Sequence, residues 1–430
     1  MTNKYQAFIF DSYSFDNNTK TLSLNYYIDD QIKFSEKYYF DFEFSDFDNA
    51  VLDRAVQDLF FIAGVSYYKT YIPPKIVVKS GELDEYQARF YSKTYQKGLG
   101  EFWYVNNLDP TTPIVFPVNS KKAKPLKSEG SGLLVALGGG KDSLTTVELL
   151  RNREDVVTWN MGSFPEIIKP MVDKIGLDHY YVRREVDKRV YEITDPEALN
   201  GHVPFSAIAG AVGVVLAVLS GKCDVVVSNE QSANEETLEY KGVSINHQYS
   251  KSQEFERDYQ RLLAHNYSGT LRYYSLLRPL SELRVTELFS KIAFEKYKNV
   301  FSSCNQGFRR GEKSIFWCGE CSKCAFVFLM LTPFVEREKL ETLWGGKNLL
   351  LDPGLEKTYR QLLGTMGDKP LDCVGEVKES RQAMRLAQEI YPELNKYVFD
   401  LPDSYDFRAL STHEMPDDIY PIFVDGIQSI

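Results

Sequence analysis

Leu133-Leu134-Val135-Ala136-Leu137-Gly138-Gly139-Gly140-Lys141-Asp142-Ser143 is the stretch on which the fold of this chain turns. An apolar run of strand length stops at three glycines, and Ser143 opens a helix-compatible segment, 144–151. Glycine lets a backbone close around an anion, and the first turn of a new helix offers unpartnered N–H groups at its positive dipole end. Phosphate is the natural guest of such a turn. A Walker A loop needs Ser or Thr after Gly-Lys, but Asp142 follows Gly140-Lys141. The dinucleotide fingerprint fails too, because Ser143 stands where its third glycine belongs. An ordinary glycine-rich turn is the bland alternative, and the order Gly-Gly-x-Asp-Ser between a strand and a helix weighs against it.

Working outward, segments 156–161, 179–183, 224–228 and 272–277 read as further strands separated by helical stretches. Strands alternating with helices predict an α/β fold with a doubly wound parallel sheet, which binds ligands at the carboxyl ends of its strands. Three segments then share one crevice: the glycine loop, the tip Trp159-Asn160-Met161-Gly162, and the long polar connection 228–256. That connection carries Asn229, Glu230, Gln231, Asn246, His247, Gln248 and Lys251. A polar loop of this length at a strand end more often carries function than a mobile surface excursion. Residues 1–125 read as an α+β domain. They hold a hairpin around Asp29-Asp30, helices over 49–63 and 82–97, and aromatic clusters that core packing explains as well as ligand stacking. The proline- and lysine-rich segment 110–127 reads as a linker to the second domain, 126–334. A mostly helical extension, 335–430, has helices over 354–363 and 379–390 and a loop-like acidic tail.

Composition narrows the class. A net charge of −10 argues against a broad nucleic-acid surface, and no nucleic-acid partner is expected. The beginning, Met1-Thr2-Asn3-Lys4-Tyr5, lacks the apolar core of a signal peptide. The most apolar segment, 204–219, is too short and too rich in Ala, Gly and Ser to span a bilayer, and reads as a buried helix. A cytoplasmic protein without membrane insertion is the expectation; the oligomeric state is not legible. Four of the six cysteines cluster as Cys304, Cys318, Cys321 and Cys324, C-x13-C-x2-C-x2-C. Thiolates at this spacing point to zinc, and four of them close the coordination sphere, so the metal is expected to be structural. A redox or iron–sulfur site is the alternative.

The core Gly139-Gly140-Lys141-Asp142-Ser143 resembles the pyrophosphate loop of the PP-loop ATP pyrophosphatases, with Gly138 replacing their first serine. That resemblance implies Mg2+ and ATP, cleaved to AMP and pyrophosphate while a substrate is adenylated. Gly138, Gly139, Gly140, Lys141, Asp142, Ser143 and Asn160 would then hold the nucleotide. With Val203-Pro204 and the late cysteine cluster, the middle of the chain also resembles the cyano-deazaguanine synthases, which act on a nucleobase. Along most of its length, however, the chain resembles the UDP-N-acetyl-α-D-muramoyl-L-alanyl-L-glutamate epimerase family. The matching segments are Ala63-Gly64-Val65-Ser66-Tyr67-Tyr68-Lys69, the glycine loop, Gly201-His202-Val203-Pro204, and Ser228-Asn229-Glu230 with Ser232-Ala233. Asn246-His247-Gln248-Tyr249-Ser250-Lys251-Ser252 and Lys369-Pro370 with Cys373-Val374-Gly375-Glu376 complete them.

The epimerase resemblance implies a UDP-muramoyl-dipeptide substrate and a role in peptidoglycan precursor synthesis. Inverting a terminal glutamate means removing a proton beside a carboxylate, whose charge makes that hydrogen very weakly acidic. Adenylation replaces the charge with an acyl activator, after which direct enolisation or an oxazolone both become accessible. His247 is the expected base, since a neutral imidazole suits proton transfer near neutral pH. Lys251 is expected to hold the acyl phosphate or act as the opposite-face acid, and Asp142 and Glu230 to complete the catalytic set. A non-catalytic nucleotide-binding scaffold is the competing class, and the intact Asp142-Ser143 pair counts against it.

Overall fold

The computed structural model describes residues 4–122, 124–307 and 315–430. Nine strands among the described residues form one sheet: β1 (Ala7–Asp16), β2 (Thr21–Ile28), β3 (Ile32–Asp41), β4 (Lys75–Val78), β5 (Leu133–Ala136), β6 (Val156–Gly162), β7 (His179–Glu185), β8 (Asp224–Val227) and β9 (Arg272–Ser275). Their spatial order is β9-β8-β5-β6-β7-β3-β2-β1-β4. The five strands from β9 to β7 run parallel. The strands from the start of the chain extend the same sheet, with β3 antiparallel to β7 and β2 antiparallel to β3 and to β1. The fold is therefore α/β with a mixed sheet, where a parallel one was expected.

The join between the two halves has a chemical cause. Along β3 the inward positions are Phe34, Glu36, Tyr38 and Phe40, so period-two alternation places a carboxylate inside. Glu36 is fully buried and meets Arg184 of β7 at 2.8 Å, and the same guanidinium reaches Ser66 at 3.2 Å. A buried carboxylate without that cation would be strongly destabilising, so the pair selects β7 as the neighbour of β3.

Strand alternation divides the core into two. Leu134, Val157, Trp159 and Val225 face one apolar cluster, which they share with helices Asn49–Ala63 and Phe205–Ser220. Leu133, Val135, Val156 and Val226 face the other, built with helices Lys141–Leu150, Glu282–Ile292 and Ser322–Leu331. Helices on both faces of a parallel region give the doubly wound half that the sequence order implies. The segment expected to be a buried helix is one, at Phe205–Ser220. Among the described residues no helix is long and apolar enough to cross a membrane. The acidic tail differs from its expected loop form: Tyr420–Gln428 is a helix, with Phe423 and Ile427 buried one turn apart and Gly426 close to Leu149. Pro421 and Gly426 disguise that short amphipathic pattern.

Gly213 sets how closely the apolar helix approaches the sheet, since a Cβ there would lie 2.5 Å from Val225 Cγ1 and 3.0 Å from Trp159 Cζ2. Gly213→Val should therefore lower stability by about 1–3 kcal/mol through overpacking. Urea denaturation followed by circular dichroism checks this; an unchanged midpoint would show that the helix can lift off the sheet without cost.

Candidate functional site

The glycine loop leaves β5 with Gly139 in the left-handed region, φ +87°, and Ser302 N–H closes it by donating to the Gly139 carbonyl at 3.0 Å. Helix Lys141–Leu150 then begins at Gly140, and no side chain caps its first N–H groups. Space around Gly138 is open, with nothing within 4 Å of where a Cβ would project. Ser143 Oγ donates to the Gly140 carbonyl at 3.2 Å. An uncapped helix start behind an open glycine turn suits an anion.

Carboxylates lie directly beside it. Oxygens of Asp142, Glu230 and Glu282 all lie within 4.8 Å of one another. The Lys141 ammonium is buried against Asp142 and lies 2.8 Å from Glu282. Burial alone would disfavour that ammonium, but Asp142 and then Glu282 outweigh it and raise its pKa. Burial likewise lifts the Glu282 carboxyl above the usual range. Asn160 is placed differently from the loop residues. Its amide donates to Pro165 O at 2.9 Å and its oxygen meets His179 Nε2 at 3.0 Å, so the side chain ties the end of β6 to its neighbours.

The polar connection 228–256 is ordered. It contains a short hairpin, Leu238–Tyr240 with Val243–Ile245, and single 3-10 turns on either side. Asn246 bridges it by donating to Ala233 O at 2.9 Å and accepting from Gln248 N at 2.6 Å. Arg278, fully buried, fixes the whole segment. Its Nε donates to Glu256 Oε2 at 2.9 Å, one terminal nitrogen to Glu230 O at 2.7 Å, and the other to Lys251 O at 2.5 Å. The other Glu256 oxygen accepts from Ser275 N at 2.8 Å, which anchors the clamp to β9.

Lys251 and His247 converge on a residue that sequence reasoning left without a role. Lys251 Nζ donates to Cys373 Sγ at 3.2 Å, and His247 Nε2 lies 3.9 Å from the same sulfur. His247 Nδ1 forms a short hydrogen bond with Glu101, which comes from helix Gly100–Val105 near the start of the chain. His202 stacks near His247, ring centroids 4.8 Å apart, with Nδ1 3.4 Å from Glu101. Burial opposes the Cys373 thiolate, but the Lys251 ammonium, followed by the His247 hydrogen bond, outweighs it and brings the thiol down to about 6. Burial likewise opposes a charged His247, yet the hydrogen bonds it donates to Cys373 and Glu101 push it up to about 9. Burial, reinforced by His247, holds His202 neutral, at about 4. Burial also works against the Lys251 ammonium, but Cys373, Glu230 and Asp142 together raise its pKa, so this one cation lies in the field of both the sulfur and the glycine-loop carboxylates.

The structure thus brings the expected residues His247, Lys251, Glu230 and Asp142 into one region and sets beside them Glu101, His202, Arg278, Glu282 and Cys373, to which the sequence assigned no role. Two signals were present: Cys373 stands outside the four-cysteine cluster, and His202 lies in the Gly-His-Val-Pro segment.

The four clustered cysteines also converge. Cys304 and Cys321 sulfurs are 3.9 Å apart, Cys318 and Cys324 sulfurs 3.7 Å. Tetrahedral zinc with bonds of about 2.3 Å requires sulfurs roughly 3.8 Å apart. Backbone N–H groups of Cys318, Gly319, Glu320 and Cys324 each point to a sulfur at 3.4 Å, as stabilised thiolates need. This knuckle also holds the Cys373 loop, because Asn305, Ser322 and Lys323 bind Asp372 and the Cys373 carbonyl.

Residues 1–276 match the family model described as the MurL N-terminal domain, and 300–399 match the MurL C-terminal domain. The chain belongs to the MurL family. Relatives of MurL type named UDP-N-acetyl-alpha-D-muramoyl-L-alanyl-L-glutamate epimerase include one from Xanthomonas oryzae pv. oryzae, 40% identical over 77% of this chain and 74% of its own. Those from Salinispora tropica and Micromonospora sp. are 38% and 37% identical, each over 90% of this chain and over 86% and 88% of their own. No solved structure matches. Cys373, Glu101 and the Arg278 clamp bind together segments from both MurL domains and from the stretch between them.

Removing the clamp should show how far the site depends on it. Arg278→Met leaves Glu256 buried without its cation and is expected to cost about 3–5 kcal/mol. Arg278→Lys keeps the charge but loses the three-way fork. It should retain more stability than Arg278→Met while losing most activity. Thermal unfolding and turnover, measured in parallel, check both; equal activity in Arg278→Lys and wild type would dismiss the clamp.

Proposed function

We propose that this chain inverts the terminal L-Glu of UDP-N-acetyl-α-D-muramoyl-L-alanyl-L-glutamate to D-Glu in peptidoglycan precursor synthesis. ATP serves as co-substrate: the glutamate α-carboxyl is adenylated, releasing pyrophosphate and later AMP. The relatives' names supply the substrate. The observation that carries the mechanism is the placement of Lys251, whose ammonium donates to Cys373 Sγ at 3.2 Å and lies in the field of Glu230 and Asp142. Phosphate chemistry and proton chemistry therefore adjoin in one crevice.

In this reading the glycine loop and the uncapped helix start of a PP-loop-type site receive the ATP phosphates, with Lys141 and Ser143 beside them. Asp142, Glu230 and Glu282 offer the oxygen donors that magnesium prefers, and the ion would neutralise phosphate charge there. His247, paired with Cys373 and Glu101, rests as an imidazolium and acts as a base only after that charge pairing changes. Lys251 keeps its proton and stabilises negative charge on the activated carboxyl oxygen as the α-hydrogen leaves. Zinc, held by Cys304, Cys318, Cys321 and Cys324, is structural, since four thiolates leave no open position.

With Mg-ATP and the L-Glu substrate, AMP and pyrophosphate should form along with D-Glu product. In deuterated water that product should carry deuterium at the α-carbon. ADP and orthophosphate instead would overturn adenylation, and an unlabelled product would remove proton abstraction. The zinc reading is tested separately by elemental analysis, which should find one zinc per chain. Cys321→Ser should lower both metal content and thermal midpoint, and an unchanged midpoint in metal-free wild type would contradict a structural metal.

A further inference from the structure

The arrangement around Cys373 is not that of a spectator thiol. A nucleophile needs a partner that handles its proton and a third group that orients the partner. Cys373 Sγ, His247 Nε2 and the Glu101 carboxylate on His247 Nδ1 supply that series, and Lys251 adds a fixed cation 3.2 Å from the sulfur. The four residues come from three separate parts of the chain, and the chain is clamped on both sides of Cys373. Asp372 is held by Asn305 and Ser322, while Lys369 binds Glu235 and donates to the Gly375 carbonyl at 3.2 Å.

We propose that Cys373 is a covalent nucleophile that takes the glutamyl group from the adenylate, so that the α-carbon is inverted as a thioester. The proposal rests on the adenylation reading above. The Cys373 sulfur attacks the adenylate carbonyl carbon, an S–C bond forms, and the C–O bond to the phosphate breaks with its electron pair on departing AMP. A thioester acidifies the neighbouring C–H because sulfur donates poorly into the carbonyl. His247 has meanwhile lost the thiolate that helped to hold its proton, releases that proton to solvent, and becomes a free imidazole. It then takes the α-hydrogen, and the C–H electron pair moves into an enolate whose oxygen faces the Lys251 ammonium. A solvent-derived proton enters from the opposite face. Water then adds to the thioester carbonyl, the C–S bond breaks with its pair on sulfur, and the D-glutamate carboxylate and the thiolate are formed with release of two protons to solvent. ATP and water are consumed, and AMP and pyrophosphate are formed.

The depressed thiol pKa favours this role over that of a proton acceptor. A thiolate already ionised near pH 7 attacks carbonyls well, but it is a weak base for a carbon-bound hydrogen.

Wild type and His247→Gln should be mixed in enzyme excess with Mg-ATP and substrate, quenched in acid and digested for mass spectrometry. The expected product is the peptide containing Cys373 heavier by the substrate minus one water. It should appear only with ATP, be cleaved by neutral hydroxylamine, and accumulate more in His247→Gln. Cys373→Ser and Cys373→Ala should lose inversion by roughly 10³-fold or more while keeping substrate-dependent exchange of labelled pyrophosphate into ATP. Absence of the adduct from both wild type and His247→Gln, with that exchange intact, would overturn the thioester and leave adenylation standing. Inversion at the wild-type rate by either cysteine variant would do the same. Absence of the exchange in wild type would instead bring down the adenylation reading, and this proposal with it.

Discussion

A single buried guanidinium holds the functional region together. Arg278 makes directed contacts with a carboxylate and with two backbone carbonyls, those of Glu230 and Lys251. Neither carbonyl belongs to a long helix or strand, so neither has a regular ladder to fix its position. Lysine could not replace the arginine, because a point charge on a flexible stem lacks the planar fork that reaches three acceptors at once. Burying the charge is unfavourable unless Glu256 accompanies it, and Glu256 is itself pinned by Ser275 of β9. The rigidity of the sheet is thereby passed to a loop that would otherwise wander.

The sheet transmits a second constraint. Because Glu36 on β3 and Arg184 on β7 meet in the interior, the strands at the start of the chain belong to the same sheet as the glycine loop. The helix that carries Glu101 follows from that placement. Gly100 at its start allows close approach to the polar connection, since a Cβ there would lie 3.1 Å from Ile245 Cγ2. Glu101 can then reach His247 across 146 positions of sequence. The region that composition sets apart as an N-terminal module thus contributes a side chain to the site.

What could be read from the sequence was whatever depends on neighbours along the chain. The strand–glycine–helix order, the period-two alternation of β2 and the cysteine spacing are local, and each predicted element lies where its pattern put it. The long polar connection could be recognised from its residue types and its position after β8. The pairing of β3 with β7 could not, because it depends on a buried Glu–Arg pair whose members stand 148 positions apart. For the same reason Cys373 read as a leftover cysteine: its distinction lies in Lys251 and His247, which only the folded chain brings to it. The partners that raise the His247 pKa, Cys373 and Glu101, were equally hidden, since they stand 126 and 146 positions away from it.

The knuckle formed by Cys304, Cys318, Cys321 and Cys324 also bears on biogenesis. It emerges from the ribosome after the glycine loop and before Cys373, and its neighbours Asn305, Ser322 and Lys323 are the groups that later receive the Cys373 loop. A nascent chain, or one clipped ahead of residue 369, carries the glycine turn without the Cys373 sulfur. The crevice is therefore completed only after the knuckle that receives its last loop has been synthesised.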